Sequence, residues 1–237
     1  MSSQFVFPLE IPAVPIAGGE VCFPVRRIWC VGRNYADHAR EMGADPEREP
    51  PFFFSKPADA IVPGGGSVPY PPRTQKFQHE VELVVAIGKP GVHIVPEAAL
   101  EHVFAYGLGV DLTRRDLQQA LREKGHPWEM AKAFDHSAPV SVLRPASELG
   151  HPASGAIRLA VNGVERQSGD LADMIWPVPD IVANLSTYVA LAPGDLIFTG
   201  TPAGVGTLVI GDQIACSISG LGTLDFAIAA AIEGQPR

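Results

Sequence analysis

The sequence predicts an α+β fold, a mixed, mostly antiparallel β-sandwich or roll with a few short helices. Two observations predict it. Glycine and proline are abundant, at 24 and 23 of 237 residues, which favours short strands and turns over long helices. Apolar runs bounded by turn residues do not alternate regularly with helical patterns, which argues against a doubly wound parallel sheet. Hydrophobic residues make up 46% and charged residues 19%, a balance that suits a packed globule with one core.

In chain order, residues 1–25 are proline-rich and apolar without a clear period, so they read as an arm packed on a main body, 26–237. Ile28 to Gly32 is a buried strand, and Asn34 is placed to cap a short helix over 35–42 that stops at Gly43. That helix would be marginal alone and suits a mobile lid. Residues 50–66 read as a loop around Phe52-Phe-Phe-Ser-Lys-Pro57, ending in three glycines. A strand over 81–87, a helical segment over 96–101 and a strand closed by Asp111 follow. Thr113 with Asp116 resembles an acidic capping box at the head of a helix over 114–124, stopped by Gly125. Strands then dominate: 157–161, an Asn162-Gly163 hairpin turn into 164–167, 196–199, 213–218 and 223–228, interrupted by a helix over 178–189.

The net charge of -8 argues against nucleic acid or an anionic membrane as main partner, because both are bound through clusters of Lys and Arg. An anionic small molecule stays compatible, since a bound cation and a few arginines reverse the local sign. No run approaches the roughly 20 apolar residues of a membrane span, and the first residues lack a signal-peptide pattern, so a cytoplasmic protein is expected. Cys22, Cys30 and Cys216 are odd in number and widely spaced, and read as reduced, buried thiols.

Three carboxylates carry the functional signal. Glu80 and Glu82 are two apart in an extended run, so they share a face roughly 6 to 7 Å apart and repel by about 2 to 3 kcal/mol. A divalent cation would offset that repulsion, with Asp111 as a third oxygen ligand and further positions open to water or substrate. Glu-x-Glu equally fits the solvated face of an edge strand. His38 and Glu41, three apart on the short helix, can hydrogen bond and form a general base, or be an ordinary surface pair. Lys132 stands among apolar neighbours, either snorkelling to solvent or held near negative charge. The glycine-rich run 200–206 lacks the Gly-Lys-Ser/Thr ending of a phosphate loop.

Cys30-Val-Gly-Arg-Asn-Tyr-Ala-Asp-His38, His79-Glu-Val-Glu82, Asp111-Leu-Thr-Arg-Arg-Asp-Leu-Gln118, Ala131-Lys-Ala-Phe134 and Thr199-Gly-Thr-Pro-Ala-Gly-Val-Gly206 occur in this order. Together they resemble the fumarylacetoacetate hydrolase family over residues 26–228. The segment 49–60 is most similar to the branch that hydrolyses fumarylpyruvate in gentisate breakdown. The resemblance implies that family's β-sandwich roll, a homodimer, and Mg2+ or Mn2+ held by Glu80, Glu82 and Asp111. It also implies His38 and Glu41 as a water-activating pair on a lid, and Lys132 beside the substrate. Arg33, Arg115, Gln118 and Thr201 are implied as substrate-binding residues. The expected reaction is hydrolysis of the C–C bond of a 2,4-dioxo acid to pyruvate and a carboxylic acid. Oxaloacetate decarboxylation and oxo-diacid isomerisation are rivals on the same site, and a non-catalytic metal-binding domain is a rival of another class. Arg73 and Arg114 are each candidates for holding a distal carboxylate.

Overall fold

The central strand of the molecule, Val81–Ile87, is buried on both faces, and the computed structural model shows why its residues are almost all apolar. The structure describes residues 6–41 and 50–232. Among these, the largest sheet has eight strands. Its order is Phe52–Lys56, Arg27–Gly32, Asp195–Phe198, Val81–Ile87, Val103–Val110, Ala138–Val140 and Ile61–Pro63, with Arg144–Pro145 also paired to Val103–Val110. A five-stranded sheet of Val164–Asp170, Ala156–Val161, Gln213–Ile218, Gly222–Ala229 and Gly66–Pro69 packs over it. Pairing is antiparallel except where Arg27–Gly32 meets Asp195–Phe198, Ile61–Pro63 meets Ala138–Val140, and Gly66–Pro69 meets Gly222–Ala229.

Alternation along the central strand sorts its side chains between two cores. Val81, Leu83, Val85 and Ile87 face the five-stranded sheet, meeting residues such as Ile157, Leu159 and Phe226. Val84 and Ala86 point the other way, into a second core with Ile28, Cys30, Phe198 and Val140. Glu82 has the parity of Val84 and Ala86, and Asp111 has that of Ala105. The carboxylates therefore extend the second face, and the strand is an inner one, so the solvated-edge alternative does not hold.

The hairpin turn forms as expected, with Asn162 and Gly163 both at positive φ (52° and 76°). The helix Val178–Tyr188 buries Val178, Ile181, Val182 and Leu185, an i, i+3, i+4, i+7 stripe. Near the N-terminus, Ala13–Pro15 and Cys22–Pro24 form a two-stranded ladder whose Val14 and Phe23 join the second core.

Several expectations fail. The 50–66 stretch is not a loop, because the aromatic run Phe52–Lys56 pairs with Arg27–Gly32 and Ile61–Pro63 takes the opposite edge. Aromatic residues suit a half-exposed edge strand, and the prolines flank it or sit at its end. The capping box does not form. The Thr113 hydroxyl donates to Asp111 O, and Asp116 accepts from the Thr74 hydroxyl and Gln75 N–H, so the helix Arg115–Glu123 has no side-chain cap. Cys22 is exposed rather than buried, while Cys30 and Cys216 are buried, and all three are free thiols. The expected stop at Gly43 lies outside the described residues.

Candidate active site

Glu80 sits in the break between the Phe77–His79 and Val81–Ile87 strands, Glu82 two residues on, and Asp111 just past Val110 on the adjacent strand. Antiparallel pairing sets Glu82 opposite Gly109, and Asp111 N–H donates to Glu80 O (2.8 Å), so backbone bonds alone bring the three together. One oxygen from each lies within 4.8 Å of the others. Two oxygens on opposite sides of a Mg2+ are about 4.2 Å apart, so a small movement closes this set on a divalent ion. All three are 5% exposed or less.

Cationic side chains share the floor. Lys132 Nζ donates to Glu80 Oε2 (2.8 Å) and Asp111 Oδ2 (2.6 Å), so it is held by negative charge and does not snorkel. Arg115 binds the other Glu80 oxygen and also donates to Gln78 Oε1 (2.6 Å) and Gln118 Oε1 (2.5 Å). Burial alone would raise the Glu80 pKa, but Lys132, Arg115 and His38 together hold it well below the usual carboxylate range. Glu82 goes the opposite way. Among the described residues its one hydrogen bond comes from Gly200 N–H (2.7 Å), and burial, Asp111 and Glu80 push its pKa well up.

Sequence reasoning passed over Lys56. Its buried ammonium lies 2.8 Å from Asp111 Oδ1 and donates to Leu112 O and Lys132 O. Asp111 Oδ1 is buried and ion-paired with that ammonium, though without a well-aligned hydrogen bond. Three buried carboxylates converging around a Glu82 that has no cationic partner among the described residues are what a divalent-ion site presents, and the all-oxygen donor set fits Mg2+ or Mn2+.

Above the floor is a cavity of about 330 Å³ reached by His38, Lys132, Arg115, Gln118, Thr201 and Arg33. All the residues expected to touch substrate thus open on one space. His38 is 6% exposed and its Nδ1 lies 3.3 Å from Glu41 Oε2. Glu41 also accepts from Gly204 N–H (3.2 Å), which ties the helix Ala36–Glu41 to the glycine-rich run. With Nδ1–H directed at Glu41, the tautomer assigned by that bond leaves Nε2 free to accept a proton.

Asn34 was expected to cap that helix, and it does something else. Its amide donates to Trp176 O (2.9 Å) and Thr199 O (2.8 Å) and accepts from Trp176 N–H (2.7 Å). It thereby fastens the helix to the segment carrying Gly200 and Thr201. Gly200 is at φ 97°, and a Cβ there would come within 2.6 Å of Asn34 Cβ, so the close approach requires glycine. Gln167 donates to Thr201 Oγ1 (2.8 Å), leaving the threonine's own proton for another acceptor. Neither Arg73 nor Arg114 lines the cavity. Arg114 stacks on Phe134 (4.3 Å) and donates to Met130 O.

Residues 27–229 match the family model described as fumarylacetoacetate (FAA) hydrolase C-terminal. The chain is 52% identical to fumarylpyruvate hydrolase of Pseudomonas aeruginosa, whose crystal structure is a complex with Mn2+ and pyruvate. The two folds agree with a TM-score of 0.94 over 96% of this chain and 100% of that one. A fumarylpyruvate hydrolase of a Ralstonia species is 42% identical over 184 residues, covering 78% of this chain and 95% of its own. A mitochondrial oxaloacetate tautomerase of Mus musculus is 41% identical over 212 residues, covering 86% and 96%. With its sheet order, acidic floor and ordered motifs in place, the chain belongs to the fumarylacetoacetate hydrolase family.

Proposed function

We propose that the protein is a metal-dependent hydrolase that cleaves a 2,4-dioxo acid of the acylpyruvate class, fumarylpyruvate foremost, into pyruvate and a carboxylic acid. One observation carries the reading: a single cavity is lined by Glu80 and Glu82, which cluster with buried Asp111, and by a histidine oriented by a glutamate. A divalent cation on Glu80, Glu82 and Asp111 supplies Lewis acidity toward the oxo-acid end of the substrate.

His38 takes a proton from water through Nε2 while Glu41 steadies the imidazolium that forms. The water oxygen bonds to the 4-oxo carbon. The bond between C3 and C4 then breaks, its electron pair passing to C3 and the 2-oxo oxygen as the enolate of pyruvate. Lys132, held at Glu80 and Asp111, places positive charge where that enolate develops. Return of the proton from His38 to C3 gives pyruvate, and the acyl fragment leaves as a carboxylic acid. Arg115, Gln118, Thr201 and Arg33 orient the substrate. The reading includes a homodimer, a place in gentisate breakdown and an arm over 1–25 preceding a catalytic unit over 26–237.

A tautomerase or decarboxylase acting on oxaloacetate is the second reading, favoured by the 41% identical tautomerase. It needs proton movement at carbon but no attacking water. Coupled detection of pyruvate from fumarylpyruvate, acetylpyruvate and oxaloacetate, together with the loss of enol absorbance of oxaloacetate, each with Mg2+ and with chelator, separates the two. Release from the dioxo acids is expected. Turnover of oxaloacetate alone would replace the hydrolase reading, and no turnover of any would remove both.

A further inference from the structure

We infer that the cavity carries a second anion subsite, formed by Arg122 with Arg33 beside the aromatic wall of Phe54 and Trp128, which selects substrates whose acyl group is flat and ends in a carboxylate. This deepens the hydrolase reading and rests on it.

The case starts from which cations are already engaged. Four basic side chains, Arg33, Arg115, Arg122 and Lys132, line the cavity of a chain whose net charge is -8. Arg115 and Lys132 are committed to Glu80. Among the described residues Arg33 and Arg122 form no ion pair, and the Arg33 guanidinium lies over the Phe52 ring at 5.6 Å. Two unspent guanidinium groups facing one small cavity call for an anion other than the floor carboxylates, and arginine pairs carboxylates through two parallel bonds.

Helix geometry sets where that anion lies. Arg115, Gln118 and Arg122 are spaced i, i+3, i+7 on the Arg115–Glu123 helix, and all three reach the cavity. Arg115 touches the floor at Glu80. Arg122 is two turns further on, roughly 10 Å along the axis. The backbone of fumarylpyruvate from C1 to C7 has six C–C bonds, about 8 Å when extended. A substrate with its oxo-acid end at the floor therefore brings its far end toward Arg122. Phe54 and Trp128, with ring centroids 5.1 Å apart, line the same space and suit a planar conjugated chain. Glu41 and Glu123 line an adjoining hollow with Arg122, but neither pairs with it.

The test compares kcat/KM for fumarylpyruvate and acetylpyruvate, which differ in the unsaturated acid end, in the Mg2+-loaded protein and in Arg122→Gln, Arg122→Lys and Arg33→Gln. Wild type should prefer fumarylpyruvate at least tenfold. Arg122→Gln should cut that preference tenfold or more, chiefly through KM, and Arg122→Lys should restore part of it. A second measurement needs no turnover: quenching of tryptophan fluorescence by fumarate, with acetate as control. Fumarate should bind at least tenfold more weakly to Arg122→Gln at an unchanged melting temperature. Equal losses on both substrates, or unchanged fumarate binding, overturn the subsite while leaving the hydrolase reading intact. Failure of wild type to cleave either substrate removes the hydrolase reading, and the fumarate measurement then still decides the subsite.

Discussion

The floor of the cavity and its wall are built on opposite principles. Glu80, Glu82, Asp111, Lys56 and Lys132 are each 5% exposed or less, and rise from or bond to strands inside the eight-stranded sheet. His38 and Glu41 ride on a six-residue helix, and Arg122 is on the exposed last turns of another. Buried charges tolerate little change, because removing one partner leaves the other desolvated and unbalanced. Wall residues on short or exposed helical turns are less deeply buried, so altering them costs the fold less. Relatives at similar identity carry the names fumarylpyruvate hydrolase and oxaloacetate tautomerase, so overall identity does not by itself fix the reaction.

Substitutions can break this contrast, beginning with the floor. Glu82→Gln should lower turnover roughly a thousandfold by weakening the cation site, with Mn2+ affinity falling in parallel by calorimetry. On the wall, His38→Gln should lower kcat by a few hundredfold while Mn2+ affinity stays near wild type. Matching losses of metal from both variants would erase the distinction. Lys56→Met tests the floor as structure: it leaves buried Asp111 with Lys132 as its remaining counter-charge and should destabilise the fold by about 3 kcal/mol in urea unfolding. Mg2+ should recover part of that loss, because a ligand that binds the folded state stabilises it. Asn34→Ala removes three hydrogen bonds between the His38 helix and the 174–200 region and should cost about 2 kcal/mol.

The smallest effect is a pH dependence. Burial, then Asp111 and Glu80, raise the pKa of Glu82 in the fold, so without metal the folded state holds its proton more tightly than the unfolded chain. Its contribution to stability is therefore present at low pH and is lost as pH rises from the usual carboxylate range through the raised value. Mg2+ replaces that proton, so melting temperatures measured with chelator and with Mg2+ should diverge as pH increases. Parallel curves would contradict the assignment.

Much of the floor was legible because it depends on local spacing. A two-residue repeat in a strand places Glu80 and Glu82, and the end of an apolar run marks Asp111. Lys56 was not legible, since its meaning comes from Leu112, Asp111 and Lys132, 55 to 76 residues away in sequence. Asn34 was misread for a related reason: Asn before a helix has a local use as a cap, and a tertiary use with Trp176 and Thr199 displaced it. Phe52–Lys56 was missed because neighbouring prolines signal a loop, while the partner strand that makes it an edge strand is not apparent from the segment itself. Arg122 lay in plain sight on the helix, but only the cavity shows which arginines face it.

The most direct test is the fate of water oxygen when Mn2+-loaded protein acts on fumarylpyruvate in H2(18)O. Hydrolysis through His38 predicts pyruvate and fumarate in equal amounts, with one labelled oxygen in the new fumarate carboxyl group and no products after chelation. Keto–enol interconversion of the substrate without cleavage, or cleavage that persists without metal, would contradict the account.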